Sequence, residues 1–189
     1  MDPILKFCSV CGAPVRQRIP VGDSVLRHVC TACDTIHYRN PRLVVGSLPE
    51  WGERILLCRR AIEPGYGKWT LPAGFMENGE TVAHAAIRET SEEACARIAL
   101  DGLFSLISVP HIDQVHVIYR AHLLDLNFAA GEETLELRLF SEEEIPWDDI
   151  AFRTIHLTLR HYFADRCAGH FRFHEETISP PLSPQHDAR

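Results

Sequence analysis

The sequence contains no long apolar segment. Of its 189 residues 46% are apolar, but no uninterrupted apolar run approaches the roughly 18–20 residues needed to span a bilayer. The first residues also lack the basic stretch and the long apolar stretch of a secretion signal. An apolar fraction of this size is typical of a folded chain and excludes a largely disordered one. We therefore expect a soluble, cytoplasmic, globular protein without a membrane partner.

Positive charge is scarce outside the first part of the chain. The formal net charge is −7, but residues 1–42 carry +3 and the remainder carries −10. Proteins bind nucleic acids largely by neutralising their phosphates, so the acidic remainder argues against a nucleic-acid partner. Residues 1–42 are basic, and their charge predicts that this segment can contact an anion locally.

Four of the seven cysteines form two C-x-x-C pairs. Eighteen residues separate Cys8-x-x-Cys11 from Cys30-x-x-Cys33, a spacing typical of four-cysteine zinc sites. Four thiolates close a tetrahedron without an open position, so we predict a structural Zn²⁺ ion rather than a catalytic one. A redox pair and four unrelated thiols are the alternatives. The other three cysteines are expected to be small buried apolar residues: Cys58, Cys95 and Cys167.

Turn residues and apolar runs divide the chain into three parts. We predict a small zinc-binding β module over residues 1–40, an α/β body over 41–168 and a C-terminal tail over 169–189, with the proline-containing residues 179–189 loose. Apolar spacing predicts helices over 81–95 and 150–166. The strands of the body are predicted over 43–48, 54–58, 69–71, 103–109, 115–124 and 135–140.

The first predicted helix carries three glutamates on one side. At about 100° per residue, Glu89, Glu92 and Glu93 fall within one sector of about 100°, and the first and last of them repel each other at i and i+4. A solvated acidic face is the simplest interpretation, but carboxylates at this spacing also suit Mg²⁺ or Mn²⁺. They border the stripe predicted to face the core, which contains Ala83, Ile87, Thr90 and Ala94.

The residues before this helix strengthen the metal hypothesis. A short predicted strand runs into Gly74, where a backbone without a side chain can bend sharply and bring a carbonyl oxygen close to an ion. Glu80 lies near the start of the helix, where a carboxylate favours the helix dipole and can pair with Arg88. The spacing G-x5-E-x7-R-E-x2-E-E resembles the box of the Nudix hydrolases, which is matched at Gly74, Glu80, Arg88, Glu89, Glu92 and Glu93.

This resemblance implies both a fold and an activity. The implied fold is α/β (α+β), with a mixed sheet sandwiched between helices and preceded by a zinc ribbon, as in the ribbon-bearing members of the family. The implied activity is Mg²⁺-dependent hydrolysis, by attack of water on phosphorus, of a nucleoside diphosphate linked to another moiety. The implied metal ligands are the carboxylates of Glu89, Glu92 and Glu93 and the carbonyl of Ala73 or Gly74.

The resemblance gives Glu80 and Arg88 an orienting role, and it has three departures. Thr90 and Ala96 occupy apolar positions of the pattern, and Cys95 stands where the pattern has a glycine, the residue that favours a left-handed helix end. Every charged position remains. The intact charged positions argue against a different class of protein, namely a zinc-ribbon protein without catalytic activity that senses nucleotides or binds nucleic acid.

Members of the family often recruit a further glutamate from outside the box as a ligand or base. In residues 132–140, alternation places three leucines on one strand face and Glu136 on the other. Glu136 is therefore the candidate and Glu133 the second choice. A solvated strand face is the alternative interpretation.

Stretches around the box indicate the substrate class. The tryptophan- and proline-rich signature of NADH pyrophosphatases is missing after the box, and the run 108–115, which contains Pro110, resembles members that cleave ADP-ribose. Residues 58–64, 69–81 and 143–147 resemble plant FAD pyrophosphatases that carry the same ribbon. We expect FAD or ADP-ribose, cleaved to AMP plus FMN or ribose 5-phosphate. Hydrolysis of NADH or of NAD-capped RNA is the alternative, and a homodimer is a family expectation.

Aromatic and arginine side chains are the candidates for substrate binding. The aromatic residues can stack on a ring, and the arginines can hold phosphate. Each of them is alternatively an ordinary core or surface residue. The candidates are Tyr66, Trp69, Phe75, Tyr119, Arg59, Arg60 and Arg120.

Overall fold

The computed structural model describes residues 5–180, which form two compact units that divide after Pro41. The first unit contains an antiparallel three-stranded sheet of β1 (Val15–Arg18), β2 (Arg27–Cys30) and β3 (Ile36–His37). Within residues 5–41 the buried apolar side chains are Cys8, Val29 and Cys30. A core of this size cannot stabilise a fold without a metal or another cross-link.

The second unit is built on one mixed sheet of eight strands within residues 42–180. The order of its six principal strands is β10-β5-β4-β9-β8-β11, while β6 pairs with β5 and β7 with β4. The β4–β9 and β8–β11 pairs are parallel, and the others are antiparallel. In chain order the elements are β4 (Arg42–Trp51), β5 (Arg54–Arg60), β6 (Trp69–Thr70), β7 (Ala73–Phe75), α1 (Val82–Ala94), β8 (Ile98–Val109), β9 (Gln114–Leu123), β10 (Thr134–Phe140), α2 (Arg153–Ala168) and β11 (His174–Thr177).

The sheet lies between the two helices because its strands bury side chains on both faces. Val45 of β4 and Val117 of β9 pack in one buried cluster with alanines of α1. Leu48 and Ile118 of the same strands pack in another cluster with α2. Successive residues of a strand point to opposite faces, so each strand contributes to two cores. The predicted α/β (α+β) architecture, a mixed sheet between helices, is confirmed.

Helix α1 begins and ends within one residue of its predicted bounds. Thr81 is its N-cap, and the Thr81 hydroxyl accepts a hydrogen bond from the His84 amide at 3.1 Å, which satisfies an amide that has no partner inside the helix. At the other end, Cys95 takes the left-handed conformation with φ 46°. The cysteine therefore adopts the backbone geometry that a glycine favours at this position.

The predicted core face of α1 is right for Thr90 and Ala94 and wrong for Ala83 and Ile87. Ile87 is 41% exposed and Ala83 is only partly buried, whereas the buried residues are Ala85, Ala86, Glu89, Thr90, Glu93 and Ala94. At about 100° per residue, the small side chains of Ala85 and Ala86 flank the sector of the glutamates. Because alanines let the helix approach the sheet closely, the helix buries that sector. Glu89 and Glu93 therefore lie within the buried face rather than at its border, whereas Glu92 is exposed.

Helix α2 begins at Arg153, three residues later than predicted, because Trp147–Asp149 first form a short 3₁₀ turn. Strand β8 begins at Ile98 rather than at residue 103. Residues 174–177, which belong to the predicted C-terminal tail, form β11 and extend the sheet beside β8. Residues 181–189 of that tail lie outside the described residues. Neither α1 nor α2 has the length and apolar character required to cross a bilayer.

Candidate active site

Arg88 connects the loop before α1 to the glutamates on the helix. Its Nε and Nη2 atoms donate to the two carboxylate oxygens of Glu80 at 3.0 and 2.7 Å. Its Nη1 atom donates to Glu89 at 2.7 Å and to Glu92 at 2.9 Å, and Nη2 also reaches the Phe75 carbonyl at 3.1 Å. The bidentate bond from Arg88 lowers the pKa of Glu80 to about 2. Arg88 and Glu80 therefore fold the loop onto the helix, in agreement with the expected pairing.

Glu89 lies directly behind β7. A Cβ atom at position 74 would overlap the Glu89 carboxylate, so the absence of a side chain at Gly74 is what gives this carboxylate its space. Burial raises the pKa of Glu89, and the negative charges of Glu92 and Glu133 act in the same direction, while Arg88 opposes them. Gly74 thus lies against a carboxylate whose surroundings favour the binding of a proton or a cation.

Glu93 is the most strongly perturbed carboxylate of the group. Its side chain is buried, and the Ala73 amide donates to its Oε2 atom at 3.2 Å. Burial, followed by the charge of Glu89, raises the pKa of Glu93 to about 8, although the Ala73 amide and Arg60 oppose the shift. Glu92 is different, since its side chain is 59% exposed. Two of the three glutamates are therefore buried against β7 and the third is exposed.

The loop before β10 closes over the end of α1. The Ala129 amide donates to the Ala94 carbonyl, and the Gly131 amide to the Glu93 carbonyl, each at 3.0 Å. These bonds satisfy helix carbonyls that lack a partner within the helix. A Cβ atom on Gly131 would overlap the Glu92 carbonyl oxygen, so a glycine is required for this approach. The residues that follow, Glu132 and Glu133, are thereby held beside the helix glutamates.

These elements enclose one cleft of about 1100 Å³. Ala73, Gly74 and the carboxylates lie at one end, and a largely apolar chamber continues along the α2 face of the sheet. The charged residues that line the cleft are six glutamates and two arginines. Carboxylates therefore outnumber guanidinium groups along the cleft, and the charges of neighbouring glutamates contribute to the raised pKa values of Glu89 and Glu93. The eight residues are Glu63, Glu89, Glu92, Glu93, Glu132, Glu133, Arg60 and Arg153.

Two of the predicted substrate-binding residues line the cleft. Phe75 is 48% exposed there, with the Arg42 guanidinium 4.7 Å from the centre of its ring. Arg60 is buried, its Nε donates to the Pro64 carbonyl at 2.9 Å, and its guanidinium lies 5.0 Å from the centre of the Phe152 ring. The positive charge of Arg60 also acts on Glu93. Both residues are therefore placed to contact a ligand that spans the cleft.

The other predicted substrate-binding residues do not line it. Trp69 packs edge to face on Phe140 in the core, with ring centres 4.9 Å apart. Tyr119 points to the α1 face of the sheet, where it packs beside the Val45 cluster. Arg120 pairs with Asp101 at 3.4 Å. Tyr66 and Arg59 are exposed in the region of the β5–β6 connection and are likewise not cleft residues.

Glu136, the first choice for an additional glutamate, is also outside the cleft. Its carboxylate pairs with Arg59 at 3.3 Å on the exposed side of β10. The register between β10 and β5 shifts between Thr134 and Glu136, so alternation read from the sequence does not hold at this end of the strand. The second choice, Glu133, lies before the shift and lines the cleft.

Most of the apolar chamber was not predicted from the sequence. Its walls come from the start of β9, the 3₁₀ turn at Pro110–Ile112, the start of α2 and Ile178. In the sequence, the run 108–115 gave a partial indication of this region, since its Pro110 starts the turn. Gln114 and His116 are the polar side chains contributed by β9, and they hydrogen bond to each other at 3.0 Å.

In the first unit, the four cysteines of the two pairs converge. Their sulfur atoms lie within 4.8 Å of one another, with Cys11 Sγ 3.4 Å from the sulfur atoms of both Cys30 and Cys33 and Cys8 Sγ 3.8 Å from that of Cys33. Ligands at the usual Zn–S distance of about 2.3 Å in a tetrahedron lie about 3.8 Å apart. The cluster therefore fits a Zn²⁺ ion, and its four sulfur ligands leave no position for a substrate.

Comparison with known proteins assigns the class. The model of the NUDIX domain matches residues 40–160, and a zinc-ribbon model described as Nudix N-terminal matches residues 6–39. The chain therefore belongs to the NUDIX family, and the resemblance seen in the sequence is confirmed. A NUDIX hydrolase from Nitrosomonas europaea has a crystal structure that is 55% identical, covers 93% of this chain and 100% of its own, and superposes with a TM-score of 0.90.

Two curated relatives carry more specific names. The ADP-ribose pyrophosphatase of Methanocaldococcus jannaschii is 34% identical over 113 residues, which are 58% of this chain and 67% of that protein. The NAD-capped RNA hydrolase NudC of Edwardsiella ictaluri is 32% identical over 129 residues, 67% of this chain and 46% of that protein. This chain thus spans about two thirds of the archaeal relative's length and less than half of the NudC relative's length.

Proposed function

We propose that this protein hydrolyses the pyrophosphate bond of an ADP derivative, ADP-ribose or FAD, with Mg²⁺ or Mn²⁺ as cofactor. The observation that carries the proposal is the cleft with six glutamates and two arginines. A diphosphate would be repelled from such a site unless divalent cations lay between the two sets of negative charges. The size of the cleft, about 1100 Å³, supports a ligand larger than a single nucleotide.

The donor set suits a hard divalent cation. Buried carboxylates with raised pKa values are destabilised as anions, and a cation among them removes that penalty. Glu89, Glu92 and Glu93 would hold the metal, together with the carbonyl of Ala73 or Gly74. When bound, Mg²⁺ would neutralise the charge of the diphosphate and polarise its phosphorus–oxygen bonds. Arg88 keeps Glu89 and Glu92 in place, and Glu80 keeps Arg88 in place.

Glu133 is the residue we propose as general base, in preference to Glu136. It lines the cleft, and its charge raises the pKa values of both Glu89 and Glu93. A carboxylate in this position can take the proton from the water that attacks phosphorus, while the bond from phosphorus to the bridging oxygen breaks. Glu136 is engaged by Arg59 outside the cleft. Arg60 and Phe75 also line the cleft, and we propose that they contact the substrate.

The two leading substrates share the ADP half. The archaeal relative named as an ADP-ribose pyrophosphatase supports ADP-ribose, and the sequence resemblance to plant enzymes supports FAD. Cleavage gives AMP with ribose 5-phosphate or FMN. The NudC relatives support NAD-capped RNA or NADH as the second candidate, and both of these also contain adenosine diphosphate.

A panel of ADP-ribose, FAD, NADH and NAD-capped RNA, incubated with the protein and Mg²⁺, tests the proposal. We expect AMP from ADP-ribose or FAD, a strict requirement for the divalent ion, and a fall in kcat of about 10²–10⁴-fold in Glu133→Gln. The matched control, Glu136→Gln on the same segment, should retain activity within a few fold. Absence of any phosphate-containing product from all four compounds contradicts the proposal, and release of nicotinamide mononucleotide from the capped RNA, with no cleavage of the other three, favours the second candidate.

A further inference from the structure

The far end of the cleft has a different chemistry from the carboxylate end. Val109 and Ile178 line it and are almost fully buried, and Ile178 is fixed there by its amide, which donates to the Ser108 carbonyl at 2.9 Å. Aliphatic walls suit the apolar faces of a ring system better than a sugar or a phosphate. Gln114 and His116 of β9 are polar side chains that line the cleft, as are His111 and Thr154, and the first two are joined by a hydrogen bond.

The sheet register sets the distance from the carboxylates to this chamber. Phe75 of β7 pairs with Val44 of β4, and Val44 pairs with His116 of β9, so the three residues form one row on the α2 face of the sheet. Strands lie about 4.8 Å apart, which places the Cα atoms of Phe75 and His116 about 10 Å from each other. Gln114 is two residues, or about 7 Å, farther along β9. Phe75 directly follows Gly74, the residue that lies against Glu89.

The hydrogen bond between Gln114 and His116 leaves a defined pair of groups for a ligand. His116 is buried, and burial lowers its pKa to about 4, so the imidazole is neutral at pH 7. If His116 Nε2 donates to the Gln114 oxygen, the amide NH₂ remains as a donor and His116 Nδ1 as an acceptor. If the amide is turned over and donates instead, its oxygen remains as an acceptor and Nδ1 as a donor. Either arrangement offers one donor and one acceptor.

A heterocycle that presents an acceptor beside a donor is complementary to this pair. Adenine does so with N1 or N7 beside its 6-amino group. Glu89, Glu92, Glu93 and Glu133 lie together at the other end. Arg153, which also lines the cleft, donates to the Ser179 carbonyl at 3.3 Å. The chamber therefore suits a neutral ring, and the diphosphate belongs at the carboxylate end.

We propose that Gln114 and His116 form the adenine subsite of the cleft and read the edge of the base that carries its 6-amino group. The proposal rests on the proposed function, since adenine is the base shared by the candidate substrates. It assigns substrate discrimination to two residues outside the carboxylate cluster. The apolar walls at Val109 and Ile178 enclose the faces of the ring, and the ribose spans the row from His116 back to Phe75.

The test compares ADP-ribose with 1,N6-etheno-ADP-ribose, in which an added ring blocks N1 and removes the 6-amino donor. The wild-type protein should prefer ADP-ribose by roughly three- to tenfold in kcat/KM, the effect of losing a hydrogen bond to neutral groups. In His116→Phe and in Gln114→Met the preference should fall towards one, with KM for ADP-ribose raised and kcat retained. His122→Phe, on the same strand but exposed and bonded to Asp101, is the matched control and should behave as the wild type.

Equilibrium binding of AMP and of etheno-AMP to the same four proteins provides a readout that does not need turnover. Binding of AMP that is weakened in both cleft variants but not in His122→Phe supports the subsite even if no compound is hydrolysed, an outcome that would contradict only the proposed function. Turnover without any preference between the two substrates in the wild type overturns the subsite and leaves the proposed function standing. A preference that survives in both cleft variants, with circular dichroism unchanged, overturns it as well.

Discussion

Gly74 of β7 and Glu89 of α1 interlock: the carboxylate of Glu89 occupies the space in which a side chain at position 74 would begin. The contact joins β7 to α1, the helix that follows it in the chain. Both residues are positions of the sequence motif. It explains in steric terms why a glycine accompanies the glutamates. The end of the Glu89 side chain is flexible, so a larger residue at position 74 would displace the carboxylate rather than unfold the protein.

Gly74→Ala therefore separates catalysis from stability. We expect kcat to fall by about 10²-fold, as is usual when a functional group moves by about 1 Å, while the thermal unfolding temperature changes little. Steady-state kinetics and calorimetric melting of the same preparation give both quantities. A variant that keeps full activity would show that the position of Glu89 does not matter for the reaction.

The raised pKa of Glu93 predicts a pH dependence of stability in the metal-free protein. The folded state keeps the Glu93 proton up to a pKa of about 8, whereas the unfolded state loses it near the ordinary value of about 4.5. The folded state thus binds more protons between these values, and the free energy of unfolding should decrease as pH rises from about 4.5 to 8, by an amount on the order of a few kcal/mol. Denaturant unfolding in the presence of a chelator measures it.

Two variants identify the group responsible. Glu93→Gln should remove most of this decrease, because its amide does not titrate and its oxygen can still accept the bond from Ala73. Glu92→Gln, at a position whose side chain is 59% exposed, should retain it. Saturating Mg²⁺ should also flatten the profile in the wild type. An identical slope in the wild type and in Glu93→Gln would assign the effect to another group.

The two helix ends provide a stability prediction with an internal control. Cys95 ends α1 and Gly169 ends α2, both in the left-handed conformation. Cys95→Gly should stabilise the protein by about 1 kcal/mol, since the left-handed region is unfavourable for a residue with a Cβ atom. Gly169→Ala should destabilise it by a similar amount. Chemical denaturation measures both, and a destabilised Cys95→Gly would mean that the thiol makes a contact worth more than the strain.

The cysteine cluster predicts that the first unit depends on zinc. One zinc ion per chain is expected by elemental analysis. Removing it with a strong chelator, or introducing Cys11→Ser, should make residues before Pro41 sensitive to protease, because this unit has few buried apolar side chains of its own. The unit from Arg42 onward should stay folded. Equal protease resistance with and without the ion would show that the sheet of β1, β2 and β3 is stable without metal.

Local patterns in the sequence account for the parts of the site that are close together along the chain. The pairing of Arg88 with Glu80 and the clustering of Glu89, Glu92 and Glu93 follow from helical spacing and one glycine. The buried face of α1 followed from it only in part. The spacing favoured a stripe that contains Ile87, whereas close packing of Ala85 and Ala86 against the sheet determines which side of the helix is covered.

Parts of the site that depend on distant pairings could not be derived from local patterns. Glu133 enters the cleft because Gly131 lets its loop approach the end of α1, and Glu136 leaves it because the strand register shifts before it. The chamber brings together residues from four separate segments, of which Ile178 lies in a stretch predicted to belong to the tail. Its position depends on the parallel pairing of β11 with β8, which no short pattern in residues 174–177 reveals.

The central claim is that the glutamates of α1 hold divalent cations together with a diphosphate. Its most direct test is the titration of Mn²⁺, followed by electron paramagnetic resonance, into the wild type and Glu93→Gln with and without a non-hydrolysable methylene analogue of ADP-ribose. The account predicts that the wild type binds Mn²⁺ more tightly when the analogue is present and that Glu93→Gln loses at least about tenfold in affinity, as expected when one charged ligand is removed. Equal affinity of the two proteins for Mn²⁺, unaffected by the analogue, would contradict it.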